Sequence, residues 1–110
     1  MNMSTDYLIA YSTVDSKDKA KEIATMLVKE KLAACVNILP QMESVYFWQD
    51  QLEESAECVL LIKTHQRVKT KLKEKLQEIH PYDCPCLVFL PIQDCLPPYL
   101  SWLNENISSS

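Results

Sequence analysis

The part of the chain with the densest set of reactive side chains is residues 80–86, His-Pro-Tyr-Asp-Cys-Pro-Cys. It places an imidazole and two thiols close together, and imidazole and thiolate ligands suit copper or zinc. His80, Cys84 and Cys86 are therefore the candidate metal ligands. A purely structural alternative is open at this point, in which His80 ends a helix, Cys84 packs and Cys86 begins a strand.

Two further groups of polar residues are weaker candidates. Glu53, Glu54 and Glu57 could give oxygen ligands to a hard cation, but such a run is also typical of a charged strand that deters edge-to-edge aggregation. His65 follows an apolar stretch and has no orienting acid at a diagnostic spacing. We expect it to be a solvent-facing loop residue, because a lone titratable side chain is a weak sign of function.

The absence of one residue type excludes several kinds of site. The chain has 110 residues and no glycine, and glycine is the residue that lets a backbone adopt positive φ or approach a phosphate closely. Phosphate loops, dinucleotide fingerprints and nucleophile elbows are therefore excluded. The sequence also shows no serine or cysteine nucleophile with a histidine base and an orienting acid at a diagnostic spacing. We therefore predict that the protein is not an enzyme.

Charge and cysteine content restrict the partners and the compartment. The formal net charge is −4, whereas nucleic-acid binders are usually basic. The sequence shows neither a signal peptide nor an apolar run long enough to cross a membrane, so we expect no membrane partner. Five cysteines without a C-x-x-C pair indicate reduced thiols and a cytoplasmic protein.

The elements that position these residues follow from the spacing of apolar side chains. Strands are predicted at residues 7–13, 35–40, 44–48, 57–64 and 86–90. Helices are predicted at residues 20–28, 68–79 and 99–106, the first capped by Asp15 or Ser16. The order is that of a ferredoxin-like α+β domain, with an antiparallel sheet and both main helices on one face. We predict a single domain over residues 1–110, with an ordered core over 7–106.

The second and third strands predict a long β-hairpin with its tip near Asp50. Residues 35–48 would extend over roughly 45 Å at about 3.3 Å per residue, whereas a compact domain of this length has a radius of gyration of about 13 Å. The hairpin should project from the globule, with Pro40 at a bulge or an edge because it lacks an N–H. Its apolar surface around residues 45–48 usually means a partner, so a homo-oligomer is predicted.

Five blocks in this order resemble the CutA family of divalent-cation tolerance proteins. They are residues 30–40 (EKLAACVNILP), 44–48 (SVYFW), 61–64 (LIKT), 80–82 (HPY) and 99–103 (YLSWL). The resemblance implies a ferredoxin-like subunit in a cytoplasmic homotrimer, whose long hairpins complete sheets between subunits. It also implies a role in tolerance of divalent metals, copper in particular, without a settled catalytic activity.

The resemblance bears on the candidate metal ligands. Copper binding in the family has been associated with a cysteine at the end of the first strand and with the histidine before Pro-Tyr. His80 matches that histidine, but Ser12 stands at the cysteine position, and Ile79 stands where some members have another histidine. Cys84 and Cys86 are the residues that could restore thiolate ligands near His80.

The resemblance further places Trp48, Lys63, Tyr82 and Trp102 near His80, in clefts between subunits that would bind a metal ion or a small ligand. No cofactor is obligatory, and copper or another divalent metal ion is the candidate ligand. A different class of function is open: a trimeric signalling or scaffold module that recognises an unidentified protein partner or small effector without metal. A third option, an acyl-phosphate hydrolase, lacks an anion-binding glycine loop.

Two positions depart from the glycines common in the family. Gln41 follows Pro40, and Asp50 lies in the hairpin turn. We predict a left-handed conformation for Asp50, which aspartate tolerates better than most residues. At Pro40 and Gln41 we predict that the chain takes a different path without strain.

Overall fold

The arrangement of strands and helices comes from a computed structural model, which describes residues 6–109. The strands are β1 (Tyr7–Val14), β2 (Cys35–Trp48), β3 (Gln51–His65) and β4 (Val88–Pro91). The α-helices are α1 (Lys17–Lys29), α2 (Lys69–Ile79) and α3 (Pro97–Glu105), and a single 3₁₀ turn at Gln66–Val68 precedes α2. The predicted order of strands and helices is confirmed, except that the two strands predicted at residues 35–40 and 44–48 form the single strand β2.

A side-chain cap determines where α1 begins, and a proline determines where α2 ends. The Ser16 side chain accepts a hydrogen bond from the Lys19 backbone N–H at 3.1 Å, so Ser16 is the cap of α1. α2 stops at Ile79 and His80 is extended, because a residue before proline is disfavoured in the helical region. None of the helices between residues 6 and 109 is both long and apolar enough to span a membrane.

The four strands form one antiparallel sheet in the order β2-β3-β1-β4. One face of the sheet carries Ala10 and Val14 of β1 and Leu60 and Ile62 of β3, which are buried in a common core. The helix side chains that complete this core are Ala20, Ile23, Ala24, Leu27, Leu72, Leu76 and Leu103. The opposite face, which we call the open face, carries the half-exposed Leu39, Val88 and Leu90.

The hairpin of β2 and β3 extends the molecule to 47 Å along its longest axis, against 29 and 23 Å along the others. Its turn is Gln49-Asp50, and both residues have positive φ, 52° and 65°. Two successive left-handed residues suit a tight hairpin, because their twist matches that of the strands. The left-handed conformation predicted for Asp50 is confirmed. We call residues 42–57, the outer part of the hairpin, the arm.

A β-bulge separates the two segments that were predicted as separate strands. β2 is continuous, but Leu39 pairs with Val59 and Met42 pairs with Glu57, so β2 holds one extra residue there. Pro40 lies in this bulge as predicted. The prediction of an unstrained path was wrong, because Gln41 has φ 65°, a region that costs a residue with a Cβ about 1–2 kcal/mol.

The last strand and the last helix differ in extent from the prediction. β4 begins at Val88, so Cys86 and Leu87 lie outside it. The Cys86 carbonyl accepts a hydrogen bond from the Ser12 hydroxyl at 2.6 Å and is thereby held by a side chain. α3 begins at Pro97 because proline is well suited to the first turn of a helix.

Candidate functional site

A cleft of about 760 Å³ lies between the arm and the loop that joins α2 to β4. It is lined by the end of β1, by one face of the arm, and by Tyr82, Asp83, Cys84 and Cys86 of the loop. We call it the acidic cleft, for the four carboxyl groups that line it. A cavity of this volume is within the usual size range for small-molecule sites.

The bulge in β2 determines which arm side chains reach this cleft. Before the bulge, odd-numbered residues of β2 pair with odd-numbered residues of β3. After the bulge, even-numbered residues of β2 pair with odd-numbered residues of β3. Tyr46 pairs with Glu53 and Trp48 with Gln51, and Tyr46, Trp48 and Glu53 all line the cleft. The extra residue at Gln41 thus turns both aromatic rings towards the cleft.

The charges that line the cleft are all of one sign. Its carboxyl groups belong to Asp15, Glu53, Glu57 and Asp83, and no lysine, arginine or histidine is among the lining residues. Clefts lined by one sign of charge concentrate the opposite ion, because their low-dielectric walls focus the field. The acidic cleft therefore favours a cationic ligand over an anionic one.

Tyr82 connects the loop to the arm. Its hydroxyl donates a hydrogen bond to Glu57 Oε2 at 3.0 Å. Burial and this contact with Glu57 raise the pKa of Tyr82 well above the usual value of 10.0, and Asp15 and Tyr46 raise it further. The phenol therefore remains a proton donor across the physiological range and fixes one side of the Glu57 carboxylate.

His80 is held inside the protein instead of lining the cleft. It is only 6% exposed, and its Nδ1 accepts a hydrogen bond from the Tyr82 backbone N–H at 3.1 Å. Nε2 must then carry the proton, which it donates to the Thr13 carbonyl at 2.8 Å. Both ring nitrogens are in use, so His80 positions the Tyr82 loop against β1.

Cys84 and Cys86 both line the acidic cleft. Cys84 is exposed and Cys86 is half-buried, and burial together with Glu57 raises the pKa of the Cys86 thiol. Within residues 6–109, no three or more His, Cys, Asp or Glu side chains are arranged to hold a metal ion. The structure therefore brings the two thiols to one cleft but does not join them to His80 as a three-ligand set.

The four predicted cleft residues divide into two groups within one subunit. Trp48 and Tyr82 line the acidic cleft, whereas Lys63 and Trp102 do not. Lys63 Nζ donates to the Tyr99 hydroxyl at 2.9 Å, which raises the Lys63 pKa. The Tyr99 ring stacks on Trp102 with centroids 5.7 Å apart.

The two weaker candidates also have defined places. His65 is not a free loop residue, because its Nδ1 accepts from the Arg67 N–H at 2.9 Å and its ring packs edge-on against Tyr7. Burial and the Arg67 charge lower its pKa. The glutamates do not form one cluster, since Glu53 lines the cleft and Glu54 points to the other face of the arm.

Sequence reasoning missed the role of three residues that anchor the loop, although it had named Ser12 and Glu57 for other reasons. Ser12 donates to the Cys86 carbonyl, Thr13 accepts from His80, and Glu57 accepts from Tyr82. Their partners lie 25 to 74 positions away along the chain, so no local spacing reveals them. The only sequence signal was the polar end of an otherwise apolar first strand.

Comparisons with known proteins agree on one family. A family model described as CutA1 divalent ion tolerance protein matches residues 8–106. The divalent-cation tolerance protein CutA of Thermus thermophilus is 48% identical over 94 residues, which cover 86% of this chain and 91% of that protein. Mouse Protein CutA is 38% identical over 104 residues, but these cover only 59% of the mouse protein.

Solved structures give the same result for the fold. The crystal structure of CutA1 from Oryza sativa has a TM-score of 0.93 and 38% identity, and the match covers 98% of this chain and 99% of that one. The Thermus thermophilus structure, named a divalent cation tolerance protein, has a TM-score of 0.90 and 44% identity, covering 93% of this chain and 99% of that one. The predicted α+β fold with an antiparallel sheet is thus shared with these proteins.

Proposed function

Because the chain belongs to the CutA1 family of divalent ion tolerance proteins, we propose that it acts in metal tolerance by binding copper in the acidic cleft. The metal is the protein's cargo and not a resident cofactor. The family descriptions refer to ion tolerance and name no catalytic activity. A binding protein that lowers the free metal concentration is the simplest activity consistent with such a role.

The observation that carries this proposal is that two thiols and four carboxyl groups of one subunit line the same cleft. Carboxylates raise the local concentration of cations, and thiolates select soft metals such as Cu(I). Cys84 is the accessible thiol, and Cys86 must lose its proton when the metal binds. Metal binding at such a site releases protons.

In this proposal His80 acts through the loop. Its two hydrogen bonds, to the Thr13 carbonyl and from the Tyr82 N–H, fix the start of the segment that carries Cys84 and Cys86. The Ser12 hydroxyl fixes the end of that segment at the Cys86 carbonyl. Copper is then held by the thiols, with His80 as a positioning residue.

The proposal includes assembly as a homotrimer. Support comes from exposed apolar side chains on the open face, with Leu39, Val88 and Leu90 all about half exposed, and from the arm. β2 is a fourteen-residue edge strand, and long edges of this kind readily pair with another chain. Trp48 and Tyr82 of one subunit would then meet Lys63 and Trp102 of another.

We also propose that the protein is not an enzyme and that it is cytoplasmic. Both histidines have ring nitrogens committed to hydrogen bonds, at His65 with Arg67 and at His80 with Thr13 and Tyr82. Neither imidazole is therefore placed to act as a general base. All five cysteines are free thiols, which suits a reducing compartment.

Copper titration under reducing conditions tests the proposal. The protein competes with a chromogenic Cu(I) chelator, and the double variant Cys84→Ser, Cys86→Ser should lose most of its affinity. Cys95→Ser is the matched control, because Cys95 is equally a free thiol but does not line the cleft. Equal Cu(I) affinity of wild type and double variant would exclude this site. Capture of a protein partner without metal would instead favour a scaffold module.

A further inference from the structure

We propose that His65 and Arg67 form a pH-sensitive latch on the C-terminal segment, by which we mean α3 and the residues 106–109 that follow it. In the latch, neutral His65 holds the turn that carries Arg67, and the Arg67 guanidinium holds the end of α3. Protonation of His65 opens the latch and loosens the segment. Neither residue lines the acidic cleft, so the latch is independent of the copper proposal.

The first step is the set of hydrogen bonds between Arg67 and the end of α3. Nε donates to the Ser108 carbonyl at 2.7 Å, and Nη1 donates to Asn104 Oδ1 at 3.0 Å. Nη2 donates to the carbonyls of Asn104 at 3.3 Å and Ile107 at 3.2 Å. The last carbonyls of a helix have no partner within the helix, and a cation near them also suits the helix dipole. One guanidinium therefore fastens the end of α3 and the residues after it.

The second step is the connection between Arg67 and His65. His65 Nδ1 accepts a hydrogen bond from the Arg67 backbone N–H at 2.9 Å, so His65 caps the 3₁₀ turn that carries Arg67. The His65 ring also packs edge-on against Tyr7, whose hydroxyl donates to Asn104 Oδ1 at 2.8 Å. The imidazole is thus joined to the C-terminal segment through two side chains. All of these contacts lie within one subunit, so they do not depend on how subunits assemble.

The third step is the effect of a proton on this arrangement. An imidazolium carries an N–H on both ring nitrogens, so Nδ1 can no longer accept from the Arg67 N–H. The added charge also lies near the Arg67 guanidinium, whereas the carboxylate of Asp6, just before β1, favours the charged ring. Tyr7 of β1 presents only its phenol ring. Burial and Arg67 outweigh Asp6 and lower the pKa of His65.

Acid should therefore open the latch. Because folding lowers the pKa of His65 below its usual value of 6.5, the contribution of the neutral ring is fully present above pH 6.5. It is lost as the pH falls through the folded-state pKa. Leu103 and Ile107 are buried in the core, and their burial keeps the segment attached when the latch is open. We expect the segment to loosen without leaving the protein.

Hydrogen exchange followed by mass spectrometry tests the latch on the whole protein, with a chelator present to exclude metal. Protection of residues 97–109 is compared with that of α1, between about pH 8 and about pH 5, where histidine changes charge. The relative protection should fall on acidification, by about tenfold for each unit by which folding lowers the His65 pKa. NMR of the two histidine rings measures that pKa. It should also show neutral His65 with its proton on Nε2, because Nδ1 accepts a hydrogen bond.

His65→Asn separates the cap from the titration. Asparagine keeps a side-chain oxygen that can cap the turn, but it does not change charge in this pH range. The segment should be as well protected in this variant as in wild type at about pH 8, and it should keep that protection on acidification. Acid loosening that persists unchanged in His65→Asn would overturn the inference, because another group would then be responsible.

Arg67→Gln removes the guanidinium and should lower protection of the segment about three- to tenfold at every pH. The pKa of His65 should rise in this variant, because a neighbouring positive charge is lost. Lys73→Gln is the matched control, since it removes one positive charge from an exposed position of α2 and should change neither quantity.

Arg67→Lys keeps the charge without the planar fork of donors, so it should loosen the segment while the pKa of His65 stays low. A segment as well protected in Arg67→Gln as in wild type would show that Arg67 does not hold α3. A wild-type His65 pKa of 6.5 or above, or protection of the segment that is independent of pH, would equally overturn the inference.

Discussion

At the scale of single residues, the segment 80–86 shows what spacing can and cannot reveal. The sequence places an imidazole and two thiols in this segment, and in the structure the two thiols line one cleft. It could not reveal that the His80 nitrogens bind Thr13 and Tyr82, because Thr13 is 67 positions away. Burial and hydrogen-bond partners decide the role of a histidine, and neither is encoded in local spacing.

Tyr82 gives a pH-dependent prediction at this scale. Burial and the Glu57 hydrogen bond raise its pKa above the usual value of 10.0, so the folded protein keeps a proton that the unfolded chain loses. This contribution to stability is fully present below pH 10.0 and is lost as the pH rises through the folded-state pKa. A phenol that ionises late should therefore appear in an ultraviolet titration of the five tyrosines.

Tyr82→Phe should remove that late step and part of the alkaline loss of unfolding free energy. Tyr11→Phe is the control, because Tyr11 has no part in the contact with Glu57. If the ultraviolet titration of Tyr82→Phe keeps the late step and loses one of the earlier steps, the contact between Tyr82 and Glu57 is contradicted.

At the scale of elements, the hairpin, the extent of β2 and the position of its bulge were predicted, but β3 begins at Gln51 and not at residue 57. Pro40 marked the bulge because proline cannot donate to a strand ladder. The conformation of Gln41 was mispredicted. Because glycine is absent at this position, we expected the backbone to avoid positive φ, but Gln41 adopts the left-handed conformation with φ 65°. Strand pairing to β3 on both sides of the bulge stabilises the hairpin enough to hold that conformation.

Gln41→Gly should therefore raise the free energy of unfolding by about 1 kcal/mol, because glycine adopts positive φ without the Cβ clash. Urea denaturation with a constant slope measures the change. Gln51→Gly, within β3 and without positive φ, should be destabilising by a comparable amount. A neutral or destabilising effect of glycine at position 41 would show that the bulge is not strained.

At the scale of the whole molecule, one subunit exposes more apolar surface than a monomer needs. Arm residues such as Phe47, 73% exposed, and the open face with Leu90, 50% exposed, lie on different parts of the surface. Length alone predicted this overhang, because a fourteen-residue strand exceeds the size of a domain of this length. The proposed contacts between subunits would join surfaces that are far apart in the sequence, and periodicity does not resolve such contacts.

Light scattering coupled to size-exclusion chromatography tests the proposed homotrimer. The wild-type protein should elute with three times the subunit mass. Leu90→Glu places a charge on the open face and should shift the mass towards that of one subunit. Leu96→Glu is the control, because Leu96 is 76% exposed and lies outside the strands. A monomeric wild type, or equal effects of the two variants, would contradict assembly through the open face.

X-ray absorption at the copper edge of the Cu(I)-loaded protein tests the central claim most directly. The claim is that Cys84 and Cys86 hold the metal in the acidic cleft while His80 keeps both of its hydrogen bonds. The account predicts a coordination shell dominated by sulfur, without the multiple scattering of an imidazole ring. A shell that contains imidazole and lacks sulfur would contradict it, since His80 would then leave Thr13 and Tyr82 to bind the metal.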